Sequence, residues 1–303
     1  MKSLTKKQNH LHRATVFAHF DKGNIVDDYV YYYLKQLQKI SGHIVFVSTA
    51  KLNDDDITQL SSMGIQVSCR ANLGYDFMSY KLGIDSLDLS KYDELIICND
   101  SVYGPLQSLE PIFCDSQFKE ADVWGITDSH QYSYHLQSYF IVFRKKALNS
   151  ISFKRFWDNV TELVNKKDII EKYEVGLSKA LLNDKLALAS IYKSNQRTPR
   201  SIMKAVTENN FQFVKTTIQR LTEKDLWEDL PRKIRDFGNK NPTHTHWKST
   251  ILEANVPFLK VELIRENPMD VADINEIVPF LDNHFQYPTT LITNHLARLA
   301  KKT

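Results

Sequence analysis

The sequence predicts an α/β protein built on a mostly parallel sheet, and two patterns within residues 1–195 carry that reading. Short β-rich runs alternate with apolar stripes at helical spacing, the arrangement that crossover helices between parallel strands require. Polar residues gather just past the apolar runs, where an open α/β sheet binds its ligands. Residues 14–20 read as the first strand, and Val26, Val30, Tyr33, Leu34, Leu37 and Ile40 then recur with the period of an amphipathic helix. Strands are expected at 43–48, 65–69, 93–98, 122–126 and 137–144, and helices at 54–63, 76–84, 152–165 and 167–182. Beyond Arg197 the chain reads as mostly helical, ending in a helix over about 290–302. That helix sets Ile292, Leu296 and Leu299 beside His295, Arg298, Lys301 and Lys302.

Composition narrows the class further. Of 303 residues, 42% are hydrophobic, 25% are charged and nine are glycine. Glycine is thus less than half as frequent as the usual ~7%, which excludes collagen-like and linker-rich chains. Neither G-x-G-x-x-G nor G-x-x-x-x-G-K-[ST] occurs, so a bound nucleotide would need side chains or a metal to hold its phosphates. No apolar run approaches the ~20 residues of a membrane-spanning helix, and residues 1–10 are basic and polar, unlike a secretory signal. Cys69, Cys98 and Cys114 fit neither a disulfide framework nor a zinc site, which points to a reducing, cytoplasmic compartment. Residues 193–240 carry eleven Lys and Arg against six Asp and Glu. This local excess sets the expected boundary between an α/β domain, 1–195, and a helical region packed on it, 196–303. With no nucleic-acid motif present, the basic excess suits either a plain solvated surface or an anionic membrane face.

Four polar clusters follow the expected strands, at 18–21, 70–76, 99–101 and 127–129. Asn99 and Asp100 offer hard oxygen ligands for Mg²⁺ or Mn²⁺, although Asn-Asp-Ser is equally a turn or helix cap. Asp76 reads as a helix N-cap or a ligand-binding carboxylate, and Asp128 as a turn former or a base. His135 and Gln137 flank a strand whose faces each have a polar end. Glu174 has Tyr173, Val175 and Leu177 around it, which suggests the partial burial that suits a general base. His244 and His246 form a sparse His-x-His pair, weak as a metal motif.

Several long runs, in order, resemble the rhamnan synthesis protein F family. They are N-L-G-Y-D-F-M-S-Y-K (72–81), Y-D-E-L-I-I-C-N-D-S-V-Y-G-P (92–105), D-V-W-G-I-T-D-S (122–129) and Y-H-L-Q-S-Y-F-I-V-F-R-K (134–145). F-W-D-N-V (156–160), Y-E-V-G-L (173–177), N-P-T-H (241–244) and P-F-L-K-V-E-L-I-R-E-N-P (257–268) continue it, so the resemblance spans about 14–268. It implies a GT-A-like nucleotide-sugar-binding sheet and a glycosyltransferase of cell-surface polysaccharide synthesis. The implied donor is a dTDP-sugar carrying L-rhamnose, and the implied acceptor a lipid-linked glycan at the inner membrane face. By the same resemblance Asn99-Asp100 stands where such enzymes carry D-x-D. His19, Asn72 and Asp76 would lie near the donor, His135 and Gln137 near sugar or acceptor, and His244 near the diphosphate or its metal. Glu174 and Asp128 compete as the base. The alternative is a non-catalytic glycan- or nucleotide-binding subunit of an assembly complex.

Overall fold

In a computed structural model, residues 12–194 and 242–301, other than 269 and 272, are described; they build an eight-stranded sheet with a helical layer on each face. The first half is the expected parallel unit: β1 (Arg13–His19), α1 (Asp28–Leu37), β2 (His43–Ser48), α2 (Asp54–Ser62), β3 (Gln66–Cys69), α3 (Tyr75–Asp85) and β4 (Glu94–Asn99). Strands run β3-β2-β1-β4, all parallel. Then follow β5 (Val102–Tyr103), α4 (Glu110–Phe113), β6 (Val123–Ser129), β7 (His135–Leu136), β8 (Phe140–Arg144), α5 (Lys145–Leu148), α6 (Ile151–Asp158), α7 (Lys166–Ile169), α8 (Gly176–Asn183) and β9 (Leu188–Tyr192). Here the sheet departs from the mostly parallel expectation. β8 lies antiparallel between β4 and β6, β7 is antiparallel to β6, and β9 is parallel to β6. The physical reason is length: the short link from β6 to β8 cannot hold a crossover helix, so the chain must reverse. The helix expected at 167–182 is interrupted by a π-helical stretch, Ile170–Val175.

Both sheet faces are apolar, as a strand buried on two sides requires. From β1, Ala14, Val16 and Ala18 join a core with Phe77, Tyr80, Trp157 and Tyr173. Phe17 points the other way, against Tyr33 and Phe46. Each such side chain, fully buried, contributes about 1.5–3 kcal/mol.

The C-terminal part comprises α9 (Pro242–Thr245), α10 (Trp247–Leu252), β10 (Leu259–Lys260), α11 (Val261–Glu266), α12 (Ile277–His284) and α13 (Thr290–Ala300). Trp247, Ile251, Phe258, Leu263, Leu281 and Ile292 extend the core that holds Phe17 and Tyr33. β10 pairs antiparallel with β5, setting Leu259 opposite Tyr103 and Lys260 opposite Val102. Leu106 N–H donates to Pro257 O at 2.7 Å and Val261 N–H to Ser101 O at 3.0 Å. Gly104 permits this contact: at φ +133° a Cβ would stand 2.6 Å from Pro257 O. The basic stretch 193–240 and the expected boundary near 195 lie almost wholly outside the described residues.

Two of the basic residues of the last helix turn inward. His295 is buried and Arg298 half-buried, both turned toward the loop after β1. Arg298 Nε donates to Asp27 Oδ1 at 2.9 Å and Nη2 to Asp21 Oδ2 at 2.6 Å. Burial alone would raise the Asp21 carboxyl, but Arg298's hydrogen bonds and charge, with the Gly23 and Ile25 amides, hold it below the ordinary range. Its stabilisation is therefore complete above about pH 4 and is lost as pH falls through the depressed value. Arg298→Met should lower unfolding free energy by roughly 1–3 kcal/mol, because two half-buried carboxylates lose their cation. Urea titrations from pH 7 down to pH 2 should show that loss, and a flatter acid limb than the parent protein's.

Candidate functional site

The chain leaves β1 toward β2 on one side, and after β3 crosses back to place β4 on the other. The reversal opens a crevice at the carboxyl ends of β1 and β4, the place where open α/β sheets bind ligands. His19 ends β1, Asn99 ends β4, and Asp100 and Ser101 follow directly. Phe20 N–H donates to Asp100 Oδ2 at 2.8 Å, and Tyr29 Oη–H to the Asp100 carbonyl at 3.0 Å. His19 is buried, with Nδ1 2.9 Å from Ser48 Oγ and Nε2 3.9 Å from Asp100 Oδ2. Burial lowers its pKa to about 4, so it is neutral near pH 7.

Asp76 reaches the same place from α3. The helix is entered through Gly74 (φ +72°) and Tyr75 (φ +50°), with Arg70 donating to the carbonyls of Ala71, Leu73 and Tyr75. Gly74 is the N-cap, so Asp76 does not cap its helix; instead its Oδ2 accepts from Asn99 Nδ2 at 2.7 Å. Asn99 Oδ1 accepts from Ser101 Oγ at 2.6 Å. Burial pushes Asp76 up despite Asn99 and Lys260, and burial together with the charge of Asp76 pushes Asp100 well up. Two neighbouring carboxyls that resist ionising mark a deficit of positive charge, and each keeps an oxygen without a hydrogen bond among the described residues. The donor set fits a hard divalent cation such as Mg²⁺ or Mn²⁺. Asn72, by contrast, is exposed on the loop before α3.

Glu174, whose charge acts on Asp76, is carried by the π-helical stretch, a distortion often found at functional sites. Its Oε1 accepts from the Ser138 hydroxyl and, at 3.2 Å, from Ser138 N–H. Its Oε2 lies 3.9 Å from His135 Nε2, and His135 Nδ1 bonds Ser133 O at 2.9 Å. Gln137 is turned inward, its Oε1 accepting from Thr127 Oγ1 at 2.6 Å. Asp128 is 3% exposed; one oxygen accepts from Ser190 Oγ at 2.9 Å and the other from Ser194 N–H at 2.6 Å. It ties β6 to β9 and to the chain that follows it.

Lys260, from β10, lies within electrostatic reach of both Asp76 and Glu174. Its Nζ is 3.0 Å from Ser101 Oγ and 4.2 Å from the centroid of the Tyr139 ring. Burial lowers it to about 8, against the opposing charges of Glu174, Glu262 and Asp76. His244 is buried near it, with Nε2 3.9 Å from Glu262 Oε2. Lys260 had not stood out in the sequence as a site residue, though it lies within the run at 257–268. Asp21, Asp27 and His295 form a second acidic group, but Arg298 already supplies its positive charge.

The rhamnan synthesis protein F family pattern matches residues 44–218, more than half of the chain. The chain belongs to the rhamnan synthesis protein F family. Within the family's matched span lie Asn72, Asp76, Asn99, Asp100, Asp128, His135, Gln137 and Glu174, whereas His19, His244 and Lys260 lie outside it. Virulence protein VirA of Vibrio anguillarum is 26% identical over 264 residues, covering 84% of this chain and 80% of that protein. The uncharacterized protein y4gN of Sinorhizobium fredii is 27% identical over 168 residues, 54% of this chain and 43% of that protein. Among solved structures, 4-diphosphocytidyl-2C-methyl-D-erythritol synthase from Anaerococcus prevotii aligns with TM-score 0.40 and 12% identity, over 60% of this chain and 87% of that one. Glucosyl-3-phosphoglycerate synthase from Mycobacterium tuberculosis aligns with TM-score 0.35 and 8% identity, over 60% and 68%. These structural resemblances are distant.

Both Asp128 oxygens accept hydrogen bonds from within the fold, from Ser190 Oγ and Ser194 N–H, which makes it a structural tie between β6 and the β9 segment. Asp128→Asn should lower stability by about 1–3 kcal/mol, since its amide would face the Ser194 N–H or Ser190 hydroxyl with a donor. Chemical denaturation measures that cost, and ligand affinity should stay at the parent value.

Proposed function

We propose that the protein is an inverting glycosyltransferase of bacterial cell-surface polysaccharide synthesis, moving L-rhamnose from a dTDP-sugar to a lipid-linked glycan. The family assignment supports the polysaccharide role. The observation that carries the reaction type is the convergence of Asp76, Asn99 and Asp100 at the carboxyl ends of β1 and β4, with Glu174 close enough for its charge to act on both Asp76 and Lys260. In this reading the donor diphosphate lies by Asp100 and the sugar points toward Glu174. Asp100 and Asp76 would hold Mg²⁺ or Mn²⁺, which when bound supplies charge to the diphosphate.

Glu174 is the base. Ser138 anchors one oxygen and leaves Oε2 for an acceptor hydroxyl. As the acceptor O–H proton passes to Oε2, the acceptor oxygen bonds to the anomeric carbon. The bond from that carbon to the β-phosphate oxygen breaks, and its electron pair leaves with the nucleoside diphosphate. A β-linked donor then gives an α-linked product. His135 holds the acceptor side. The neutral His19 stands behind Asp100 and, with Asn72 on the loop before α3, borders the nucleoside.

Product analysis with dTDP-, UDP- and GDP-sugars and a lipid-linked acceptor tests the reaction, and transfer from dTDP-rhamnose is the expected outcome. Glu174→Gln should slow transfer by about 10²–10⁴-fold while donor affinity, measured by calorimetry, is unchanged. Transfer at the parent rate by that variant would remove Glu174 as the base.

A further inference from the structure

Lys260 and His244 are not accounted for by the packing around them. The Lys260 ammonium makes one hydrogen bond, to Ser101 Oγ, and rests on the Tyr139 ring; among the described residues no carboxylate comes within ion-pairing distance. His244 is 4% exposed, and among the described residues neither ring nitrogen has a hydrogen-bond partner, the Glu262 carboxylate standing 3.9 Å from Nε2. Buried polar groups are almost always paired, so two such groups together call for a ligand. With an ammonium present, that ligand is an anion. The place is decided by the neighbours: Ser101 directly follows Asp100, and the charges of Glu174, Glu262 and Asp76 all act on Lys260. A leaving group departing from a sugar held near those carboxylates develops its negative charge here. The chain has no glycine-rich loop to supply backbone N–H groups for it.

We propose that Lys260, with His244 beside it, is the anion-binding pair that receives the departing diphosphate of the donor. The inference deepens the transferase reading and rests on it. Lys260 donates two further N–H bonds to phosphate oxygens, and His244 donates a third from its neutral ring. Each lies in a water-poor site, where a fixed donor aimed at developing charge is most effective.

Calorimetry on the full chain would compare the parent protein with Lys260→Gln, Lys260→Arg and His244→Gln. The probes are dTDP, UDP and GDP, each paired with its nucleoside, and inorganic pyrophosphate. Lys260→Gln is expected to weaken the bound nucleoside diphosphate and pyrophosphate roughly 10- to 100-fold, with nucleoside affinity unchanged and Lys260→Arg restoring most of the loss. A purely structural role would weaken nucleoside and diphosphate alike. Equal diphosphate affinity in parent and Lys260→Gln overturns the proposal; should that variant fail to fold, equal affinity in His244→Gln does so. Lys260-dependent pyrophosphate binding without any nucleotide binding would sink the nucleotide-sugar reading and leave the anion site standing. No binding of pyrophosphate or nucleotide by the parent protein would sink both.

Discussion

Two residues of antiparallel backbone, Leu259 and Lys260 against Tyr103 and Val102, join segments far apart in the chain beside the carboxyl end of β4, and set Lys260 against Ser101, 159 positions away. Remove that pairing and β4 would still end in Asn-Asp, but the crevice would have carboxylates and no ammonium. The register is narrow. A shift by one residue would turn Lys260 away from Ser101 and bring Leu259 toward it, since side chains alternate across a strand. Gly104 sets the approach distance through its contact with Pro257, so a small turn residue governs which charge enters the site.

The electrostatics share one cause. Asp76 and Asp100 are pushed up and Lys260 is pushed down, in every case chiefly by burial. Opposite charges near one another normally stabilise each other's ionised forms, yet here withdrawal from water outweighs that attraction. Such an arrangement is costly to keep empty and gains from a ligand that brings both signs, as a metal-bound diphosphate does. The Asp21–Asp27–Arg298 group shows the contrast. There the guanidinium reaches both carboxylates directly, and Asp21 is held low. One cluster is closed on itself and supports the loop after β1; the other stays unsatisfied and faces the crevice.

Much of the fold can be read from residue order, because burial on two faces writes itself as apolar runs and burial on one face as a helical stripe. The strands at 43–48 and 65–69 and the helix at 54–63 lie within a residue or so of their observed ends. Strand direction is less accessible: 122–126 and 137–144 look the same whether parallel or antiparallel, and only the short link decides. The site divides in the same manner. Asn99, Asp100 and Asp76 stand at ends of periodic segments and so announce themselves. Asp128 does too, but its bonds to Ser190 and Ser194 depend on β9 lying beside β6. Lys260 hides in a two-residue strand too short for any periodicity, and its partners all come from distant sequence. The π-helical register that turns Glu174 toward Ser138 is invisible for a related reason: an i→i+5 pattern over six residues cannot be told from an ordinary turn of helix.

The contact between Arg298 and the loop after β1 spans 277 positions, nearly the whole length of the chain. During synthesis the β1 loop therefore emerges long before the residue that fixes it. At ≈ 5–20 residues per second, a ribosome takes on the order of a minute or less to reach Arg298 after completing Asp21. Once β4 is complete, the parallel unit has all its strands while the loop after β1 still lacks its tether. A growing chain thus leaves the loop after β1 untethered until α13 has been translated.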